Sequence, residues 1–231
     1  PRTSSAASDV YKRQLLASKT TSEPKIDSST YVLNGDSATY EIKTSQPWIM
    51  SRQNSLSTGL SLAVVRSKNR LDQSYDLYDD HLTILGFDVG GHLQALGGMN
   101  GLELSVHQGL NILGADDSKV YSNDSQPKFT RANVMLMRNQ YLWANLSMKL
   151  SIEGQYSSDR LPFSQQLWFG GSQYGHGFNT AIISGDKGIQ GQLRFQYELP
   201  YTFSFIHDIR PYVFIDGAKL WKNDSQESDP D

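Results

Sequence analysis

The chain contains no cysteine, so neither a disulfide framework nor a thiolate metal site is available to it. It has no apolar run approaching the roughly 18 residues of a membrane-spanning helix, and no stretch shows a convincing helical period. It also lacks a basic field: a formal net charge of -3 and a pI near 6.0 argue against nucleic acid as a partner. The first residues, PRTSSAASDVYKRQ, have neither the apolar centre of a secretion signal nor an amphipathic period. Residues 1–14 are therefore read as a non-native tail and set aside. The polar C-terminus, NDSQESDP, stops as loops do, and both ends are expected to be cuts through a longer protein. There is no fixed-length repeat and no linker, so residues 15–231 are read as one domain.

What the chain does have is alternation. Leu56, Leu60, Leu62 and Val64 fall on one side of residues 55–65, and Ser55, Ser57, Gly59, Ser61 and Ala63 on the other. The same period of two, the mark of a strand with one apolar face, recurs in residues 38–48, 82–89, 102–110 and 128–138. It is clearest in 142–152, where Leu142, Ala144, Leu146, Met148, Leu150 and Ile152 share a face. It returns in 189–199 and around 209–220. Pro47 is expected to end its strand. Residues 15–37, 66–80 and 111–127 read as polar loops, and 156–186 as the longest connection. The regions 93–100, 139–141 and 200–208 read as short turns.

A soluble β-sandwich also alternates. Three features favour a membrane barrel instead. The strands reach ten residues or more, against a usual mode of about 5–6 in soluble sheets. Long polar loops alternate with short turns, the asymmetry of outer-membrane barrels. Aromatic residues (Trp48, Tyr141, Trp143, Phe195, Tyr197, Tyr201, Phe203, Phe205) gather near the short turns, as at a membrane–water interface. The expected fold is all-β: about eight antiparallel strands of a transmembrane barrel, apolar faces toward lipid and polar faces toward a wet lumen.

No catalytic motif survives inspection. Gly170-Gly171-Ser172-Gln173-Tyr174 lacks the closing glycine and following helix of a nucleophile elbow. The glycines do not fit dinucleotide or phosphate-loop spacings. Asp72, Asp76, Asp79 and Asp80 lack the glycine turn and spaced ligands of a calcium loop, and read as a solvated loop. The histidines have no paired ligand spacing; His107 reads as a polar wall residue. No enzyme activity, cofactor or metal is expected.

One stretch does not fit an ordinary surface loop. Residues 170–186, GGSQYGHGFNTAIISGD, are glycine-rich yet apolar, and a loop of this length is usually functional. Downstream, Tyr212, Phe214 and Asp216 share the face opposite Val213 and Ile215. A lumen-side carboxylate beside an in-folded loop calls for a donor, because an unpaired, partly buried charge is costly. Solvation of Asp216 by lumen water is the plain alternative.

In order, Leu161-Pro162, Phe169-Gly170-Gly171, Gly175-His176-Gly177-Phe178 and Ser184-Gly185-Asp186 are followed by a strand and then Phe214-Ile215-Asp216-Gly217. This succession resembles the two-partner secretion transporters, the haemolysin-activator and filamentous-haemagglutinin transporter family of the outer-membrane assembly superfamily. The similarity runs from about residue 38 through most of the chain. It implies a 16-stranded barrel preceded by two periplasmic POTRA domains, with this chain supplying roughly strands six to thirteen. It implies an outer-membrane protein, a monomeric barrel inserted by the barrel-assembly machinery among lipid and lipopolysaccharide. Its partner would be a large unfolded exoprotein, an adhesin or haemolysin, passed without nucleotide. An assembly factor of the same superfamily and a passive porin remain alternatives, as does, from another class, a soluble β-sandwich adhesin.

The resemblance further implies that the loop folds into the lumen, its tip (Gly175, His176, Gly177, Phe178) meeting Phe214, Asp216 and Gly217, with Gly170, Gly171, Gly185 and Asp186 at its base. Position 176 departs from the family pattern, with His in place of Arg, and Gly175 replaces the usual Val. An arginine pairs permanently and bidentately with a carboxylate, whereas a neutral imidazole donates one hydrogen bond. A weaker or titratable latch between His176 and Asp216 is the expectation.

Overall fold

The computed structural model describes residues 12–22, 33–71, 75–115, 126–179, 181–200 and 209–223. Nine strands form one antiparallel sheet in the order β1-β2-β3-β4-β5-β6-β7-β10-β11. They are β1 (Lys12–Ser22), β2 (Leu33–Met50), β3 (Asn54–Leu71), β4 (Tyr75–Ala95), β5 (Gly98–Leu110), β6 (Thr130–Trp143), β7 (Leu146–Ser157), β10 (Lys187–Tyr197) and β11 (Tyr212–Trp221). A two-stranded hairpin, β8 (Leu167–Phe169) with β9 (Ile183–Gly185), lies between β7 and β10. The only helical element among the described residues is a single 3-10 turn, Phe163–Gln165. The sheet is open, with β1 and β11 at its edges, as part of a barrel must be.

The predicted alternation becomes a two-faced wall. Ile42, Leu60, Phe87, Leu104, Val106, Leu136, Ile189 and Ile215 point outward and are exposed, as lipid-facing side chains should be. The opposite face carries Asp88, Glu103, Ser105, His107, Arg131, Asn133, Ser151, Glu153, Gln190 and Gln192, and is the face on which the 158–186 connection lies. Lys43 crosses this face to pair with Asp88 at 2.8 Å. Gly59 makes that possible, since a Cβ there would collide with the Asp88 carboxylate.

Several expectations need correction. Residues 15–37 are not all loop: β1 occupies Lys12–Ser22 and pairs with β2 from Lys12↔Ser45 to Ser22↔Gly35. Its polar sequence hides it, and pairing with β2 reveals it. β1 also takes in the last three residues of the segment set aside as a tail. Residues 66–80 are mostly strand, for β3 runs to Leu71 and β4 begins at Tyr75. At 18 and 21 residues, these strands are about twice the 9–11 needed to cross a bilayer, so the ribbon continues past it. There, charged residues can alternate on a strand because both faces meet water.

The turn expected at 139–141 lies at Ala144–Asn145 instead. Ala144 adopts φ 40° there, and the apolar alternation of 142–152 runs straight through it, masking the reversal. Leu142 and Ala144 therefore do not belong to the strand of Ile152. Pro47 does not end β2; it sits at a register shift three residues before the end, the kind of place where a missing N–H is tolerated. The Leu96–Gly97 turn, both residues at positive φ, falls within the predicted 93–100 region and suits a tight hairpin. Residues 116–125 and 201–208 lie outside the described residues, with Tyr201, Phe203 and Phe205 among them. Asp72 is outside them too.

Around the short-turn end, Trp48, Tyr141 and Trp143 are all more than 60% exposed, consistent with an interfacial belt. At the opposite end a small apolar core sits on the lumen side: Leu82 and Ile84 of β4 with Phe129 and Leu161, Val65 packing alongside. Leu161 belongs to the segment that crosses from β7 toward β4. The backbone N–H of Ser164 in that segment donates to the buried carboxylate of Asp80, 3.1 Å away. Asp79, its neighbour in sequence, points to the other face and pairs with Lys68 at 3.1 Å. The aspartates expected to share one solvated loop are thus divided between two faces of a strand.

Candidate functional site: a loop seated against the barrel wall

The connection between β7 and β10 folds over the polar face and is held at two points, each a carboxylate that accepts backbone N–H groups. At the base, Asp186 is buried. Its Oδ1 accepts the Leu161 N–H at 2.9 Å and lies 3.4 Å from Gln166 Nε2, while its Oδ2 accepts the Asn223 N–H at 2.7 Å. Its own N–H donates to Trp221 O, 2.8 Å away. Asn223 completes the clasp, its side-chain amide donating to the carbonyls of Ser157 and Asp159, both at 2.9 Å. The two ends of the connection and the end of β11 are thereby joined. Gly185 permits the approach, because a Cβ there would lie 2.7 Å from Trp221 O.

At the tip, Asp216 Oδ2 accepts three contacts. The N–H of Gly175 donates at 2.9 Å and that of His176 at 3.3 Å, and His176 Nδ1 lies 3.0 Å away. The imidazole also stacks at a tilt on Phe214, ring centroids 4.6 Å apart. Gln192 Nε2 approaches the same Nδ1 at 3.2 Å and donates to Gln173 O at 3.2 Å. One ring nitrogen cannot donate to Asp216 and accept from Gln192 at once. The two backbone N–H groups have no such conflict, and hold the carboxylate whichever tautomer the ring adopts.

Two consecutive N–H groups converging on one oxygen form an anion-binding concavity of the kind successive amides make in tight turns. It requires Gly175 at φ 73°, a left-handed conformation that side chains resist. A Cβ at 175 would also lie 2.9 Å from Gly170 Cα and from a ring carbon of Phe169. Gly175→Val is therefore expected to weaken the seated tip by at least about 1–2 kcal/mol, roughly a tenfold loss of occupancy. Protease sensitivity of the loop in the full-length protein checks this; unchanged cleavage would mean that the tip tolerates a side chain.

Tyr174 anchors the loop between these points. It is buried, and its hydroxyl meets Ser151 Oγ of β7 at 2.7 Å. Burial raises its phenol above the ordinary value. Gly170 and Gly171 adopt φ 114° and 113°, and Gly170 O accepts the Ala181 N–H at 3.2 Å. The loop leaves a polar cavity of about 490 Å3 against β5, β6, β7 and β10, lined by Glu103, His107, Arg131 and Glu153 among others.

Gly175, His176, Phe214 and Asp216 come together at the tip, with Gly170 and Gly171 packed beside Gly175, while Gly185 and Asp186 lie at the base. Gly177 and Gly217 have open space where a Cβ would stand, so nothing steric explains either glycine. Phe178 does not reach the wall; it is 55% exposed and packs at 6.0 Å on Phe169 of its own loop. Sequence reasoning missed Gln192, Tyr174–Ser151 and the Asp186–Asn223 clasp. Only the lumen-side phase of Gln192 and Ser151 signalled any of these.

Comparison with known proteins agrees with this architecture. Residues 11–230 match the family model described as haemolysin secretion/activation protein ShlB/FhaC/HecB. The chain belongs to that family. The family is one of outer-membrane β-barrel secretion proteins, and this chain supplies part of such a barrel. Among solved structures it is similar to CdiB from Escherichia coli, with a TM-score of 0.74 and 20% identity over 94% of this chain and 40% of that one. It is also similar to CdiB from Acinetobacter baumannii, with a TM-score of 0.63 and 16% identity over 87% of this chain and 34% of that one. At such identities the likeness concerns the fold. The chain spans 40% or less of the length of either CdiB chain. No curated protein sequence matched.

Proposed function

We propose that this chain is the loop-bearing part of an outer-membrane translocator that releases a large unfolded exoprotein, an adhesin or haemolysin, by two-partner secretion. The observation that carries the reading is the seating of the 170–186 loop on the lumen wall through Asp216, in a chain of this family. A seated loop narrows the lumen; an extended polypeptide needs it displaced. In the complete protein, two POTRA domains precede a 16-stranded monomeric barrel, inserted by the barrel-assembly machinery among lipid and lipopolysaccharide. With the Phe-x-Asp motif on the thirteenth strand, the nine-stranded sheet begins at the fifth. Passage draws on no nucleotide, and the polar face supplies hydrogen-bonding groups to the moving chain.

The test co-expresses the full-length protein with a candidate exoprotein from the same genome and measures release into the medium. Release is expected, and its absence from a correctly inserted barrel rejects the reading. His176→Arg is expected to tighten the seated loop, because a guanidinium can replace the contested Nδ1 contact with a permanent charge. Planar-bilayer recordings should then show a smaller or less frequent open state. Secretion and conductance both unchanged would remove position 176 from the gating account.

A further inference from the structure

The outer face of β1 to β4 changes character abruptly along the strands, and the register makes the change a straight line. Reading toward the long-loop end, Leu60 and Phe87 are cross-strand partners; the next row is Ile42, Leu62 and Leu85; the next is Tyr40, Val64 and Thr83. All of these lie on the face away from the loop, and Ile42, Leu60, Leu85, Phe87 and Tyr40 are exposed. One row further, about 7 Å along, come Lys19, Ala38, Arg66 and His81, paired in sequence across four strands. Two cations of this row, Lys19 and Arg66, directly border the row of Tyr40 and Val64, while Thr83 beside them is buried and donates to Ile112 O. The row beyond it contains Asp36, Lys68 and Asp79.

Pairing within the patch leaves positive charge over. Lys68 is held by Asp79 at 3.1 Å, and His81 Nε2 lies 3.4 Å from the other oxygen of Asp79. Lys19 and Arg66 have no carboxylate partner among the described residues, and both are exposed. Between the two rows lies a shallow cleft of about 200 Å3 floored by Ala38. A small floor residue leaves room for a bulky head group, and side chains from four strands rim it.

The short turns and their aromatic residues mark the periplasmic end, so this row stands at the outer-leaflet boundary. The outer leaflet there is built of a glycolipid whose glucosamine head group carries phosphates at that depth. We propose that Lys19, Arg66 and His81 bind a phosphorylated glucosamine head group of lipopolysaccharide, its acyl chains running down the Tyr40–Ile42–Leu60–Phe87 surface. The planar guanidinium of Arg66 suits bidentate phosphate recognition, and basic pockets at a membrane surface are a general means of capturing phosphorylated head groups. Asp79 holds Lys68 back from the cleft, and two phosphates can engage Lys19 and Arg66 where a single one cannot. The inference rests on the outer-membrane placement and not on the secretion reading.

The experiment titrates the full-length protein in detergent with lipid A, with monophosphoryl lipid A and with phosphatidylglycerol, reading bound lipid by native mass spectrometry. Lipid A is expected to bind in preference to phosphatidylglycerol, with the monophosphoryl form between them. The Lys19→Glu/Arg66→Glu double variant is expected to lose at least about tenfold in lipid A affinity, while keeping its heat-modifiable migration and its exoprotein release. Should the double variant not insert, Arg66→Gln is expected to weaken binding several-fold. Equal binding of phosphatidylglycerol, or wild-type affinity in either folded variant, overturns the assignment.

Discussion

Replacing Asp216 by alanine is expected to free the loop tip more completely than any single change in the loop itself. Three contacts end on its Oδ2, two of them backbone N–H groups. Hydrogen bonds to a charged acceptor contribute about 1.5–3 kcal/mol each, and contacts sharing one acceptor do not add. Because lumen water can replace part of what is lost, a net cost of about 2–3 kcal/mol is reasonable. That corresponds to a roughly 30- to 150-fold fall in the seated population. His176→Ala removes one contact of the three, from a side chain that is 21% exposed, and is expected to cost less than about 1 kcal/mol. Single-channel recordings and loop proteolysis of the two full-length variants measure this ordering. An effect of His176→Ala as large as that of Asp216→Ala would show that the imidazole, not the peptide backbone, carries the latch.

The tip geometry also bears on histidine at position 176, where the resemblance implied an arginine. A latch made only of a side-chain ion pair would be badly weakened by histidine. Here the peptide N–H groups of Gly175 and His176 do much of the holding, and glycine at 175 lets them converge. A left-handed glycine at 175 lets amide donors supply part of what a guanidinium would.

Asp186→Ala should act at the base, and on stability before function. The substitution leaves the buried N–H of Leu161 and the part-buried N–H of Asn223 without their acceptor, while the amide of Gln166 keeps only the carbonyl of Leu161. Buried unsatisfied donors cost about 1–3 kcal/mol each, so a combined loss of about 3–5 kcal/mol is expected after partial relaxation. The heat-modifiable gel shift of the full-length protein should move down by several degrees. Asp186→Asn should fall between, since its amide keeps one acceptor oxygen but turns a second donor toward an N–H. A wild-type transition for Asp186→Ala would mean that the clasp is reached by water. The two carboxylates thus divide the work: the buried one fixes the base, and the partly exposed one at the tip can release.

How much of this could be read beforehand differs from element to element. β5, β7 and β10 were legible because alternating apolar and polar residues report directly on two environments. β1 was not, since a strand whose outward residues include lysine and threonine has no contrast to show, and the outer halves of β3 and β4 failed for the same reason. The turn at Ala144–Asn145 was hidden by the opposite fault, an apolar period that continues through a chain reversal. At the site, Asp216 and the loop tip could be named from residue type and phase. The backbone donors could not, because every residue but proline carries an N–H and only conformation selects which ones converge.

By itself, then, the sequence determined that this chain makes long antiparallel strands with one face for lipid and one for water, and that an apolar, glycine-rich loop must find a place near Asp216. Those are consequences of side-chain chemistry and spacing, which are local. The tertiary structure alone decided that the loop is held by peptide N–H groups at both ends, that Asp79 and Asp80 serve opposite faces, and that Lys19, Arg66 and His81 fall in one row. Each of these depends on register between strands distant in sequence, and a shift of one residue would turn every one of those side chains to the other face.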